Sequence, residues 1–362
     1  MDFRYLEKDL NELSALGIPY LGVKVQKGHK ELFSGTRGSE GNGKRFFIYS
    51  CSKVMTVSAA LRLFEQGRID LDAPVKEYLP AFGKAYILKD GVPCPPDTVM
   101  TVRHLFTMSA GLNYKLWLDP IQKAASQPGA DTVSVVNSFA ESPLDFSPGE
   151  RFQYSLCHDV LGAVIQAVTG QRFDRYMEEN VFSPLGMTHT SFVFAPDELA
   201  PKYTFENGAF RPDSLTNGYV LAPGYFSGGA GVVSTLEDMS LFADCLACGG
   251  EGAGGYRLLK PGTVELMRTE QVSKVYRDKS FSCAAGEEFT YALGVHVLKY
   301  PLPTTRAPLG VFGWDGAAGA YLMSDPENKV SIAFITHVHG WTGIRPCFHR
   351  PLRNAVYASL EA

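Results

Sequence analysis

The chain has 362 residues, 45% of them hydrophobic, and a net charge of −4. That is enough apolar length for a full core, in two domains or in one large domain with an insertion, and it excludes a disordered chain. Acids and bases are interspersed, no Lys/Arg cluster could track a phosphate backbone, and no apolar run reaches secretory or membrane-spanning length. Nucleic acid and membrane are therefore not expected as partners, and a cytoplasmic protein is expected. The seven cysteines, an odd number in a large chain, fit reduced thiols better than a disulfide framework.

In chain order, the N-terminal segment reads as a helix, and Tyr20 to Val25 and Lys30 to Ser34 follow as a hairpin around Lys27-Gly28-His29. Glycine-rich Gly35 to Gly43 leads to a short strand, Arg45 to Tyr49. Ser50 to Gly67 reads as a helix with apolar positions at Val54, Val57, Leu61 and Phe64. From about Asp70 to Leu221 helices alternate with Pro/Gly loops, at Val102 to Met108, Thr132 to Ala140, Asp159 to Thr169 and Phe173 to Val181; strands look sparse there. Thr235 with Asp238 forms a capping pattern for a helix ending at Cys248. Strand signals return at Tyr291 to Val297, Leu309 to Trp314, Ala318 to Ser324 and Val330 to His337, before a last helix, Pro351 to Ala358.

Strands at both ends around a helical middle predict an α/β (α+β) fold whose antiparallel sheet is built from the N- and C-terminal segments. The expected division is 1–80 with 225–362 as the sheet region and 81–224 as a mostly helical insertion, with the active site at their junction.

Three constellations carry chemistry. Ser50-Cys51-Ser52-Lys53 puts a hydroxyl and an amine one helical turn apart, where the amine can activate the hydroxyl, and the helix N-terminus adds partial positive charge. Tyr154-Ser155-Leu156 follows a turn and precedes an amphipathic helix, a junction from which a tyrosine can point into a cleft and act as general base. Gly313-Trp314-Asp315-Gly316-Ala317 lies between apolar strand segments, where glycines mark close approach of a backbone or ligand, and the N–H of Ala317 could join that of Ser50 as an oxyanion hole. Each has a plain structural alternative: a helix start, a packing tyrosine, a turn.

Other patterns carry less. Gly38 to Arg45 almost spells a phosphate loop, but Arg45 stands where a hydroxyl is needed and a strand follows. His337-Val338-His339 could place two rings on one face, but no third ligand lies at a persuasive spacing, so two satisfied histidines are expected. Cys245-Leu246-Ala247-Cys248 has zinc or redox spacing without a second pair, and buried helix cysteines are expected. No metal and no organic cofactor is called for.

In this order the three constellations resemble the serine beta-lactamase and penicillin-binding-protein superfamily, most closely the branch with class C beta-lactamases and family VIII carboxylesterases. The resemblance spans nearly the whole chain, taking in Leu63 to Asp72, Thr101 to Leu105, Ser109 to Leu112, Pro184 to Met187 and Gly231 to Thr235. It implies a beta-lactamase/transpeptidase-like fold and a serine hydrolase in which Ser50 is acylated, Lys53 and Tyr154 share the general-base task, and the N–H groups of Ser50 and Ala317 stabilise the oxyanion. It also implies substrate contacts at Leu156, Trp314, Asp315 and Gly316. Leu156 stands where the family has an amide-holding Asn, and Trp314 and Asp315 stand where it has a cation and a hydroxyl. An apolar ring and a carboxylate do not clamp a carboxylate anion, so the expected partner is a small-molecule ester or amide substrate, most of all a neutral ester, with weak beta-lactam turnover or acyl transfer beside it. A true beta-lactamase or D-Ala-D-Ala-type peptidase is the alternative, and a non-catalytic sensor of this fold is the alternative from another class.

Overall fold

Alternating apolar residues at both ends of the chain meet in one sheet. The computed structural model describes residues 1–272, 286–341, 343–344 and 348–361. The strands run, in chain order, β1 (Leu21–Lys27), β2 (Lys30–Arg37), β3 (Phe46–Phe47), β4 (Ile87–Lys89), β5 (Val92–Cys94), β6 (Lys202–Glu206), β7 (Ala209–Asp213), β8 (Val233–Ser234), β9 (Phe289–Tyr291), β10 (His296–Leu298), β11 (Phe312–Asp315), β12 (Tyr321–Asp325), β13 (Val330–Thr336) and β14 (Val338–His339). Among the described residues the main sheet has seven strands in the order β2-β1-β13-β12-β11-β10-β9, and every pairing in it is antiparallel. Thus β1 from one end of the chain lies against β13 from the other, from Leu21 opposite Thr336 to Lys27 opposite Val330.

Burial follows position in the sheet. All seven residues of β13 are buried, whereas edge strand β2 is exposed or half-buried throughout. A strand buried on both faces is covered on both. The Leu236–Ala247 helix packs on β1, β12 and β13, and the Arg4–Ala15 helix packs on β2 and on the Arg350–Glu361 helix. The Leu236 helix starts as its sequence predicts, with the Thr235 hydroxyl accepting from the Asp238 N–H at 3.2 Å.

The helical middle is joined to the sheet through the Ser52–Glu65 helix, which packs against the Cys157–Thr169 helix and against β11. Ser52 to Leu61 are all buried in it. A helix buried on every side is held on every side, and truncating one of its fully buried leucines to Ala would cost about 2–5 kcal/mol.

Several expected elements change. The strand expected over Arg45 to Tyr49 contracts to β3, which pairs with β8 outside the main sheet, because Tyr49 adopts a φ of 43° and turns the chain. A positive φ at a bulky residue costs about 1–3 kcal/mol and persists only where its surroundings enforce it. The expected strand Tyr291 to Val297 becomes the hairpin β9–β10, with Gly294 at a φ of 77° between its arms. The middle is less poor in strands than expected, since β6 and β7 form a hairpin. Asn207-Gly208, with φ of 51° and 77°, is the turn dipeptide that signals such a hairpin.

Cys51, Cys94, Cys157, Cys245 and Cys248 are free thiols, while Cys283 and Cys347 lie outside the described residues. The phosphate-loop look-alike runs into β3; Lys44 Nζ donates to the Asp197 carbonyl at 2.7 Å, and Arg45 pairs with Glu198 at 2.9 Å. His337 is satisfied at both ring nitrogens, Nδ1 against the Ala200 carbonyl at 3.1 Å and Nε2 accepting from the Phe47 N–H at 3.3 Å. Among the described residues, no helix is long and apolar enough to cross a membrane.

Candidate active site

The turn at Tyr49 delivers Ser50 into a short 3-10 segment, Tyr49–Cys51, rather than onto the first turn of the helix, which begins at Ser52. The spacing of three still brings the side chains together, because Lys53 Nζ donates to Ser50 Oγ at 3.1 Å. Lys53 has no exposed surface and donates a second hydrogen bond, at 2.7 Å, to the carbonyl of Gly229. Its Nζ also lies 4.8 Å from the ring centre of Tyr154 and 5.7 Å from that of Tyr114.

A buried ammonium needs a counter-charge, and Asp159 supplies it. A side-chain carbon placed on Gly229 would lie 2.5 Å from Asp159 Oδ2 and 3.2 Å from Lys53 Nζ, so acid and base converge on this glycine. Asp159 is 1% exposed and its Oδ1 accepts from the hydroxyls of Tyr225 at 2.8 Å and Ser227 at 2.5 Å. Burial pushes its carboxyl above the ordinary carboxylate range; the charge of Lys53 opposes this most, followed by the hydrogen bonds from Ser227 and Tyr225. Sequence reading assigns Asp159 to the first turn of its helix, where it does sit. What that reading lacks is the fold that brings Lys53 to it.

Tyr154 is fixed by Trp314. The indole Nε1–H donates to the Tyr154 hydroxyl at 3.1 Å and the rings stack with centres 5.5 Å apart. Tyr114 and Tyr219 extend the aromatic wall: Tyr114 lies 5.6 Å from Tyr154 and 5.8 Å from Tyr219, and Tyr219 lies 6.2 Å from Tyr49. Tyr114 and Tyr219, with Tyr225 and Ser227, stand in loops whose local sequence gives no sign that they share a site.

Gly316 allows the closest approach. Its α-carbon faces the carbonyl oxygen of Ile48 so tightly that any side chain would collide with it, and Cys51 Sγ donates to the Trp314 carbonyl at 3.6 Å. The end of β11 is thereby pressed against the turn carrying Ser50. The Gly316 N–H donates to Ala320 O at 2.8 Å and the Val338 N–H to Ala318 O at 3.0 Å, which fixes the turn around exposed Ala317.

The side chains of Leu156, Trp314 and Asp315, expected at the substrate, pack into the protein. All three are buried, at 4%, 1% and 8% exposure. Leu156 joins the main hydrophobic core. Successive strand residues face opposite ways, so with Trp314 on Tyr154, Asp315 turns to the other face, where its carboxylate lies 3.7 Å from His349 Nδ1. Sequence gives the residue types here but not which face each takes.

Residues 6–346 match the family described as Beta-lactamase. The chain belongs to the beta-lactamase family. Among curated relatives in this family, it is 33% identical to esterase EstB from Burkholderia gladioli over 224 residues, 54% of this chain and 55% of that one. It is 27% identical to a putative D-alanyl-D-alanine carboxypeptidase of Escherichia coli K12 over 330 residues, 82% of this chain and 69% of the relative. Among solved structures, EstCE1, described as a hydrolase with promiscuous acyltransferase activity, superposes with a TM-score of 0.80 at 26% identity, covering 98% of this chain and 99% of its own. The beta-lactamase/transpeptidase-like fold and a place among serine hydrolases with esterase relatives follow from these matches.

Proposed function

We propose that this protein is a carboxylesterase that works through an acyl-enzyme on Ser50. The observation that carries this reading is the 3.1 Å contact between Lys53 Nζ and Ser50 Oγ at a buried lysine facing the Tyr154 ring. Ser50 Oγ attacks the ester carbonyl while its proton passes to the Tyr154 oxygen beside the Lys53 ammonium, and Tyr154 returns that proton to the departing alcohol. The N–H groups of Ser50 and Ala317 receive the oxyanion, each donor contributing about 3–4 kcal/mol. Water then resolves the acyl-enzyme, or an alcohol does so, which makes the reaction acyl transfer.

The ester preference rests on the residue types at Leu156, Trp314 and Asp315, whose side chains are buried, and not on contacts that they make to substrate. None offers the cation or amide that would bind an acidic or peptide-like substrate. Because Trp314 holds Tyr154, its effect on substrate choice runs through the placing of that hydroxyl. The substrate class is thus a small neutral ester, and EstB, an esterase, and EstCE1, a hydrolase with acyltransferase activity, are in keeping with this.

A fluorophosphonate is expected to label Ser50, and Ser50→Ala to abolish hydrolysis of short-chain nitrophenyl esters. Wild-type protein that neither labels nor hydrolyses would overturn the reading in favour of a non-catalytic sensor. Faster turnover of a chromogenic cephalosporin than of any ester would reverse the order in favour of a beta-lactamase. Leu156→Asn is expected to bring no gain in ester hydrolysis.

A further inference from the structure

Away from the Ser50 site, three residues from distant parts of the chain converge at the tip of the β1–β2 hairpin. His29, in the hairpin turn, places Nδ1 at 2.6 Å from Asp244 Oδ2, and its backbone N–H donates to Asp244 Oδ1 at 3.3 Å. Cys248, one helical turn beyond Asp244, has its Sγ 3.9 Å from the same Oδ1. One nitrogen, one carboxylate oxygen and one sulfur thus lie within 4.8 Å of one another.

We propose that His29, Asp244 and Cys248 form a binding site for a divalent transition-metal ion of the zinc class. Nitrogen, oxygen and thiolate donors together select a borderline-soft ion such as zinc over calcium or magnesium, which take oxygen. At zinc bond lengths of about 2.0–2.3 Å, tetrahedral ligands stand roughly 3.3–3.7 Å apart. The sulfur lies 3.9 Å from Oδ1, a little beyond this range, and the nitrogen lies against the other carboxylate oxygen, Oδ2. The nitrogen-to-oxygen spacing has to widen by roughly 0.7 Å as the ion replaces the shared proton. His29 is 31% exposed at its side chain, which leaves room for water as a fourth ligand.

One further observation points to a cation. Asp244 is 1% exposed in the last turn of the Leu236–Ala247 helix, where the helix dipole already presents negative charge, and that turn carries no basic residue. His29 holds a φ of 67° beside Gly28 at 58°, a tight two-residue turn in which the imidazole is aimed back onto the helix end. On binding, the Cys248 thiol gives its proton to solvent. Neutral His29 transfers its Nδ1 proton to Nε2 through water, leaving Nδ1 free to ligate. The bound ion ties the hairpin to the helix, stabilising the folded state without entering the hydrolytic reaction.

The test uses the full chain, stripped with a chelator and titrated with cobalt(II). Wild type is expected to show visible d–d bands and a near-ultraviolet thiolate-to-cobalt transition, saturating at one ion and displaced by zinc. Cys248→Ser should lose the thiolate transition and His29→Ala should weaken affinity at least about 10–100-fold, while Cys94→Ser should match wild type. Ester hydrolysis and circular dichroism establish that each variant is folded. Absence of the transition in wild type, or its persistence in Cys248→Ser, would overturn the proposal and leave His29 and Asp244 as a simple hydrogen-bonded pair.

Discussion

Asp159→Asn tests what keeps the Lys53 ammonium in a site with no exposure. The substitution preserves shape and removes one negative charge, and the hydroxyls of Tyr225 and Ser227 can rotate to meet an amide. Opposite charges about 5 Å apart at an effective dielectric constant of about 20 attract by about 3 kcal/mol. Removing one partner of a buried pair costs about 3–5 kcal/mol, because the other is left without compensation. We therefore expect the variant to melt several degrees below wild type, with kcat/KM on nitrophenyl butyrate about 100-fold lower. Tyr225→Phe is the control, since it removes one hydrogen bond to the same carboxylate but leaves the charge, at a cost of about 1.5–3 kcal/mol. Thermal unfolding and initial rates on the three proteins decide the matter. If Asp159→Asn behaves like Tyr225→Phe, Asp159 is merely an acceptor for two hydroxyls and its role as counter-charge is refuted.

Trp314→Phe keeps most of the ring but deletes the donor to the Tyr154 hydroxyl; kcat should fall about 10–100-fold with little change in melting, and an unaltered kcat would remove Trp314 from the positioning of Tyr154. Gly316→Ala places a methyl group against the Ile48 carbonyl, so β11 must move away from Ser50, and fluorophosphonate labelling should slow by at least tenfold, on the order of the loss expected for an oxyanion donor displaced from its place. Burial holds His337 down at about 4 and His158 down at about 3, both below the usual 6.5. As pH falls below 6.5 the unfolded chain takes up protons that the folded chain refuses, so stability present at neutral pH is lost, by about 3 kcal/mol for His337 alone by pH 4. Melting temperatures between pH 7 and pH 4 should fall accordingly, less steeply in His337→Asn, and a flat profile would show that neither histidine is held neutral.

Much of the site was legible in the sequence wherever one local segment carries the chemistry. Ser50 and Lys53 are three residues apart, so any helical turn joins them, and the turn before Tyr154 sets that residue at a helix start whatever lies opposite. The glycines around Trp314 announced a close approach, which the Ile48 carbonyl provides. The same local logic located the hairpin at Gly28 and the capped start of the Leu236 helix, and it would have located the β6–β7 hairpin from Asn207-Gly208.

Sequence alone determined the kinds of element, the order of the motifs and the residues that bear reactive groups, because these depend on contacts within a few residues. The tertiary structure decided the partners. Asp159 became the counter-charge of Lys53, Asp315 turned toward His349 and away from the Trp314 face, and Cys248 met His29 across more than 200 positions of chain. Those outcomes depend on which faces of strand and helix are pressed together when β1 pairs with β13 and the Ser52 helix closes on the Cys157 helix. No pattern of period 2 or 3.6 records that choice, since it is made by burial across the whole molecule.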